Sequence, residues 1–177
     1  QLPYTPQLDE LAVAGLIPSI NGHWSEIGAT HDSAHLTSLG IALQKFNAQY
    51  EEFPPMYRYL GDAHPRLKVP AQLRTSWMAD IVRFLNIHEL ENRINNEQPW
   101  NNPFNRQAAS TVVEPFVNSQ IPVEMIEGMA PTHLVGIGGL GVNGPEENAA
   151  STKAGVFAFN RSTRMQDFHD GTANTLA

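Results

Sequence analysis

Two histidines four residues apart, His31 and His35, are the first residues whose spacing could do chemistry. On a helix, positions i and i+4 share a face, so both imidazoles could address one cation. Asp32 lies between them, but no glutamate follows His31, so the H-E-x-x-H zinc pattern is not met. A third ligand would have to come from a distant His23, His64 or His169. A second candidate is the turn His169-Asp170-Gly171-Thr172, where Asp170 could give an oxygen to a calcium ion. It lacks the alternating carboxylates of a dedicated calcium loop. His31, His35 and Asp170 are therefore weak metal candidates, and the expectation is no resident metal and no cofactor.

Gly136-Ile137-Gly138-Gly139-Leu140-Gly141 formally satisfies G-x-G-x-x-G after a strand-like segment. A dinucleotide site needs a helix next, whose first amides hold the pyrophosphate. The next residues, Val142-Asn143-Gly144-Pro145-Glu146-Glu147, are turn-rich and acidic instead. The stretch reads as a hairpin loop. No G-x-S-x-G is present and no nucleophile has a base beside it in sequence, so no catalytic set emerges and the chain is not expected to be an enzyme.

Beyond these candidates, the composition narrows the partners. The 177 residues suit one domain with an appendage, here divided as an N-terminal extension with a short helix (1–30) and a main domain (31–177). A net charge of −7 without clustered Lys and Arg argues against nucleic acid and anionic lipid. Zero cysteines exclude disulfides and thiolate metal sites. No apolar run approaches the roughly 18 residues of a membrane span. The chain opens at Gln1, as a processed product or an excised piece would. Abundant Asn, Gln, Pro and Gly lean toward an exported, loop-rich surface.

The element that must position everything else is His31–Pro55. Leu36, Leu39, Leu43, Phe46 and Tyr50 recur at spacings of three and four, which predicts one apolar helix face. Asp32 or Ser33 is suited to cap its start, while Pro54 and Pro55 end it. Gly28 weakens any helix continuing upstream. Ser76–Leu85 mixes signals, with Trp77, Ile81, Phe84 and Leu85 on one helical face, and His88–Ile94 reads as a short helix. Strands are expected at Thr111–Val117, with Pro115 demoting it to an edge, at Thr132–Ile137 and at Gly155–Phe159. A helix-rich half followed by a strand-rich half predicts an α+β fold with an antiparallel sheet.

Several stretches, in this order, resemble the DUF1559 family. They are Leu16-Ile17-Pro18, Leu39-Gly40-Ile41-Ala42-Leu43, Phe53-Pro54-Pro55, Ser76-Trp77, and Glu97-x-Pro99-Trp100-Asn101-x-Pro103 with Asn105. Ile121-Pro122-Val123, Thr132-His133-Leu134-Val135-Gly136, Gly155-Val156-Phe157 and Asp170-Gly171-Thr172-Ala173-Asn174-Thr175 come after them. Glu124-Met125-Ile126-Glu127 stands where the family places a cysteine-proline pair. Those proteins are pilin-like and exported, abundant in Planctomycetes, and also carry a solute-binding-protein label. The resemblance implies a pseudopilin-like architecture, a long N-terminal helix with an antiparallel sheet wrapped on it. It also implies an extracytoplasmic location in the periplasm or at the cell surface. The family's own C-terminal segment is not reached, as expected of a piece of a longer product.

The function expected is that of a non-enzymatic structural or assembly subunit of a cell-surface, filament or secretion-type complex. Its partners would be other protein subunits, like or unlike, with no nucleic acid and no membrane span. Contacts are expected from Trp24, Leu36, Leu39, Leu43, Phe46, Tyr57, Tyr59 and Trp100. The alternative is a soluble extracytoplasmic module that binds a glycan or solute through loop 95–105 and the His169–Thr175 turn.

Overall fold

The computed structural model describes residues 26–57, 70, 73–159 and 161–168. One long helix, α1 (Glu26–Tyr50), dominates. Its 25 residues span about 38 Å at 1.5 Å per residue. It begins earlier than the sequence suggests. Gly28 lies inside it, because the roughly 1 kcal/mol that a helical glycine costs is small beside the stability of a long packed helix. Asp32 and Ser33 are therefore interior residues, and the Asp32 carboxylate accepts the Ser119 N–H at 3.0 Å instead of capping. The helix stops before the prolines. Glu51 takes a left-handed conformation (φ 61°) and its N–H reaches the Asn47 carbonyl at 2.7 Å.

The buried face of α1 is Leu39, Ala42 and Phe46, with Leu43 half-buried beside them. Positions i, i+3 and i+7 share one side of a helix, which is why these three go in together. Leu36 and Tyr50, at the ends of the expected stripe, are exposed. The face packs on three short pieces: α2 (Trp77–Ile81), the 3-10 turn Val82–Leu85 that continues it, and the 3-10 turn Glu114–Phe116. The Phe46 ring meets Phe84 edge-on at 5.9 Å. Two further helices, α3 (His88–Glu91) and α4 (Pro103–Ala109), flank this wall. Asn102 caps α4, accepting the Phe104 N–H, and Pro103 fills the first position, where no N–H is needed.

The expected antiparallel sheet is not there: among the described residues there is no strand, only isolated antiparallel bridges at Tyr57–Ser76, Ile126–Met129 and Gly139–Ala154. The α+β, pseudopilin-like expectation is corrected accordingly. The helix is wrapped by segments that touch through a few backbone bonds. Phe53 N–H reaches the Thr163 carbonyl, Met56 the Ala158 carbonyl and Phe157 the Ile137 carbonyl.

Each expected strand fails for a local reason. Pro115 interrupts 111–117 with the 3-10 turn Glu114–Phe116. At 132–137, the Thr132 hydroxyl bonds the Phe116 carbonyl and the Leu134 N–H, and the His133 ring nitrogen accepts the Asn118 N–H. Side chains thus take up the groups a ladder would need. At 155–159 the backbone groups are shared among several segments, Gly155 N–H going to Gly138, Phe157 N–H to Ile137 and Phe159 N–H to Pro145 while the Ala158 carbonyl accepts from Met56, so no single ladder forms.

The second core centre is aromatic. Trp77 lies 4.6 Å from Phe157 and 6.2 Å from Phe116, ring centre to ring centre. Glycines admit this packing. A Cβ on Gly136 would stand 2.6 Å from a Phe157 ring carbon, and one on Gly155 would stand 2.4 Å from the Ile137 carbonyl oxygen.

Candidate functional site

Side chains that a sequence reader would offer for binding are largely used to build loops. Asn105 is buried and organises 95–105. Its Oδ1 accepts the Asn95 N–H at 2.7 Å, and its Nδ2 donates to the carbonyls of Asn95 (2.9 Å), Gln98 (3.2 Å) and Pro99 (2.9 Å). Asn95 caps the Glu97 N–H. Asn96 accepts from the Thr75 hydroxyl at 3.0 Å and donates to Asp80 at 3.3 Å. The Asn-rich composition of this loop is thus explained by turn construction. Sequence reasoning does not single out Asn105 for this role; the dense N-x-x-P-x-N-N-P-x-N pattern ending on it is the signal that could have found it.

Beside this loop opens a polar cleft of about 610 Å³. The C-terminal end of α1, the turn after α2 and α3 form its walls, with Tyr50, Asp80, Arg83, Glu91 and Asn96 among its lining. Arg83 is its central cation. Its Nε and Nη2 both donate to Glu91 Oε1 at 3.1 Å, and its Nη1 donates to the Tyr50 hydroxyl at 2.7 Å. The Glu91 bond raises the Arg83 guanidinium above its ordinary pKa, against partial burial, and Tyr50 adds to the effect. At the other end of the cleft the Ser162 hydroxyl donates to Glu52 at 3.0 Å. No imidazole completes that pair among the cleft-lining residues, so it reads as a tie between the end of α1 and the C-terminal segment.

A smaller cavity of about 270 Å³ is apolar, with Met78, Val82, Leu90, Trp100 and Phe116 on its walls.

Arg161 forms a further hub that the sequence did not announce. It donates from Nε to the Glu147 carbonyl at 2.8 Å, from Nη1 to the Thr163 hydroxyl at 2.8 Å, and from Nη2 to the Gly155 carbonyl at 3.0 Å. Burial lowers its pKa from the ordinary value, while the Asp167 charge acts in the opposite sense.

The outer surface carries apolar side chains in two loops. Val123, Met125 and Ile126 are exposed in one. In the other, Val135 is 84% exposed, Leu140 68% and Val142 98%. These values matter because most of each of those residues is left uncovered by the chain's own packing. The second loop is the G-x-G-x-x-G stretch. No helix comes after it, only the 3-10 turn Gly144–Glu146, so the phosphate-binding geometry is missing.

The residues expected at contacts are dispersed. Leu39 and Phe46 belong to the interior and Leu43 packs against it. Leu36 is 58% exposed on α1. Tyr57 is half-buried and stacks on Phe159 at 5.6 Å, and Trp100 lines the apolar cavity. Trp24 and Tyr59 lie outside the described residues, as does Asp170. His31 and His35 both fall on α1, and His35 is half-buried. Among the described residues no three His, Asp or Glu side chains are grouped to hold a metal ion. Among the same residues no helix is long and apolar enough to cross a membrane.

Residues 32–177 match the model of a family described as a protein of unknown function, DUF1559. The match covers well over half of the chain, so the chain belongs to that family. The chain matches none of the curated proteins and none of the solved structures with which it was compared.

Proposed function

We propose that this chain is an exported, non-enzymatic structural subunit that works by assembling with other protein subunits at the cell surface or in a secretion-type complex. The observation that carries the reading is the high exposure of Val135, Leu140 and Val142. An apolar side chain held in water gains nothing from the fold, whereas a partner that covers it recovers roughly 25 cal/mol per Å². Membership of the family fits this reading, because its resemblance implied export and a surface role. Contacts from Leu36, Tyr57 and Trp100 belong to the same proposal, with Trp24 and Tyr59. Truncating a true contact aromatic to Ala would cost assembly about 2 kcal/mol or more.

Electron microscopy of the native material tests the reading. Filaments, sheets or a defined larger complex containing this chain support it. Dispersed monomers refute it.

The polar cleft favours a second reading, a binding module for a glycan or a polar solute. Its volume of about 610 Å³ suits a small ligand, and Tyr50 offers an aromatic wall beside Arg83, Asp80 and Asn96. Titration calorimetry against a panel of neutral oligosaccharides tests it, with Tyr50→Ala as the control variant. Absence of heat across the panel removes the glycan form of this reading.

A further inference from the structure

Arg161 and Asp167 are opposite charges that share one cavity without touching. The cavity measures about 260 Å³, and among the described residues these two are its only charged lining. Ser151, Thr152, Val156 and Phe168 line it as well. Neither Arg161 nor Asp167 forms an ion pair with a described residue. Their charges still reach each other, since Asp167 favours the charged guanidinium while burial disfavours it.

The chain itself keeps the pair from closing. Arg161 is pinned by three neutral groups, the Glu147 carbonyl, the Thr163 hydroxyl and the Gly155 carbonyl. Thr163 is buried and donates its own hydrogen to the Val156 carbonyl at 2.7 Å, so this anchor is fixed in turn. Asp167 ends the 3-10 turn Met165–Asp167, and its Oδ2 accepts the Arg164 N–H at 2.8 Å. Both groups keep capacity to spare. The guanidinium has N–H groups beyond the three it uses. The Asp167 Oδ1 accepts no hydrogen bond from a described residue. A partly buried charge bonded only to neutral groups gains from an opposite charge brought to it, because its water shell is already thinned.

Two such charges facing one small space select their ligand. A lone carboxylate would meet Arg161 but also the repulsion of Asp167, and a lone amine would meet the reverse. A molecule with a carboxylate and an ammonium on neighbouring atoms answers both, which is the structure of an α-amino acid. Size and walls narrow the class. At roughly 30 Å³ per water the cavity has room for about nine waters, and leucine has about nine non-hydrogen atoms. Val156 is buried, and the Phe168 ring is held edge-on against Phe53 at 5.5 Å, so the apolar surface of the cavity is fixed. Among the described residues no third charge lines the cavity to meet an acidic or basic side chain.

We infer that this cavity binds a free apolar amino acid of about leucine size as its zwitterion, the carboxylate on Arg161, the ammonium on Asp167 and the aliphatic side chain against Val156 and Phe168. The site shares no lining residue with the polar cleft beside loop 95–105. The inference goes beyond both readings above and stands whether or not the assembly reading holds.

The test follows the amides of 151–156 and 161–168 by NMR while the purified full chain is titrated with L-leucine, 4-methylpentanoate or 3-methylbutylamine. The last two keep the carbon skeleton, but each lacks one charge. The expected result is that L-leucine shifts both segments and that each analogue binds at least about tenfold more weakly. The diagnostic variant is Asp167→Asn, whose amide oxygen can still accept the Arg164 N–H. Its affinity for L-leucine should fall at least about tenfold, while 4-methylpentanoate binds no more weakly than to the wild-type chain, because the repulsion is gone. Arg161 also ties its loop together, so it is not the variant of choice. No shift of these amides at tens of millimolar L-leucine overturns the inference. Equal binding of the three compounds overturns it too, as does an Asp167→Asn chain that holds L-leucine as tightly as wild type. Should Asp167→Asn fail to fold, as circular dichroism would show, the comparison of the three compounds on the wild-type chain decides alone.

Discussion

Asn105 is the residue whose removal has the most directly calculable cost. Its amide closes the loop 95–105 by accepting one N–H and donating two hydrogens to three carbonyls, one of them shared. That amounts to about three hydrogen bonds, each contributing roughly 1 kcal/mol net. In Asn105→Ala, water can reach part of the abandoned backbone, because Asn95 is exposed and Gln98 and Pro99 are half-buried. The expected loss is therefore about 2–3 kcal/mol.

Asn105→Asp is the sharper test. It keeps the shape and the bond from Asn95 N–H, but turns a carboxylate oxygen toward the three carbonyls. The folded state then disfavours the charged form, so the new carboxyl titrates above its unfolded pKa of about 3.9. A group whose folded pKa is raised contributes stability at low pH and loses it as pH rises. The variant should thus lie close to the Ala variant or below it at neutral pH, and recover toward wild type in mild acid. Urea unfolding followed by tryptophan fluorescence measures both, since Trp77 is buried and the Trp100 N–H is bonded to the Leu73 carbonyl at the loop's edge. If Asn105→Asp stays within about 0.5 kcal/mol of wild type at every pH, the view of this side chain as the organiser of the loop is wrong.

Three further outcomes concern the backbone and the guanidinium hub. Glu51→Gly should raise stability by about 0.5–1 kcal/mol, because glycine adopts the left-handed cap (φ 61°) without the Cβ penalty, and a lower urea midpoint would contradict this. Gly155→Ala should destabilise by about 3 kcal/mol or more, as the added methyl meets backbone atoms at 2.4 Å that cannot step aside, and an unchanged melting temperature would show that the two segments separate easily. Arg161→Lys keeps the charge but cannot reach three acceptors as a fork does. It should cost about 2 kcal/mol and free the amides nearest 155–163 in hydrogen exchange, whereas unaltered exchange would assign Arg161 a role by charge alone.

Features that depend on neighbours along the chain were readable from the residues. The spacing of Leu39, Leu43 and Phe46 announced α1, because helical side chains three and four apart share a face whatever surrounds them. The ordered set of short motifs pointed to the family. The ends of α1 were less legible. The stop depends on Glu51 adopting a left-handed conformation, and the start on a helix long enough to run through Gly28. The sheet was misread because strand signals report side chains, whereas a ladder needs partners for every N–H and carbonyl. Pro115 brings no N–H and sits in a 3-10 turn, the Thr132 and His133 side chains occupy groups of 116–118 and of Leu134, and the backbone groups of 155–159 are divided among several segments. The glycines of 136–141 looked like a turn or a phosphate loop. Only the tertiary structure shows Gly136 and Gly138 pressed on Trp77, Phe157 and Met56, because close approach between distant segments leaves no trace in local spacing. The same holds for Asn105 and Arg161, whose roles arise from where the folded chain brings carbonyls together, and for the outward turn of Val135, Leu140 and Val142, which is set by the side of the backbone that the core occupies.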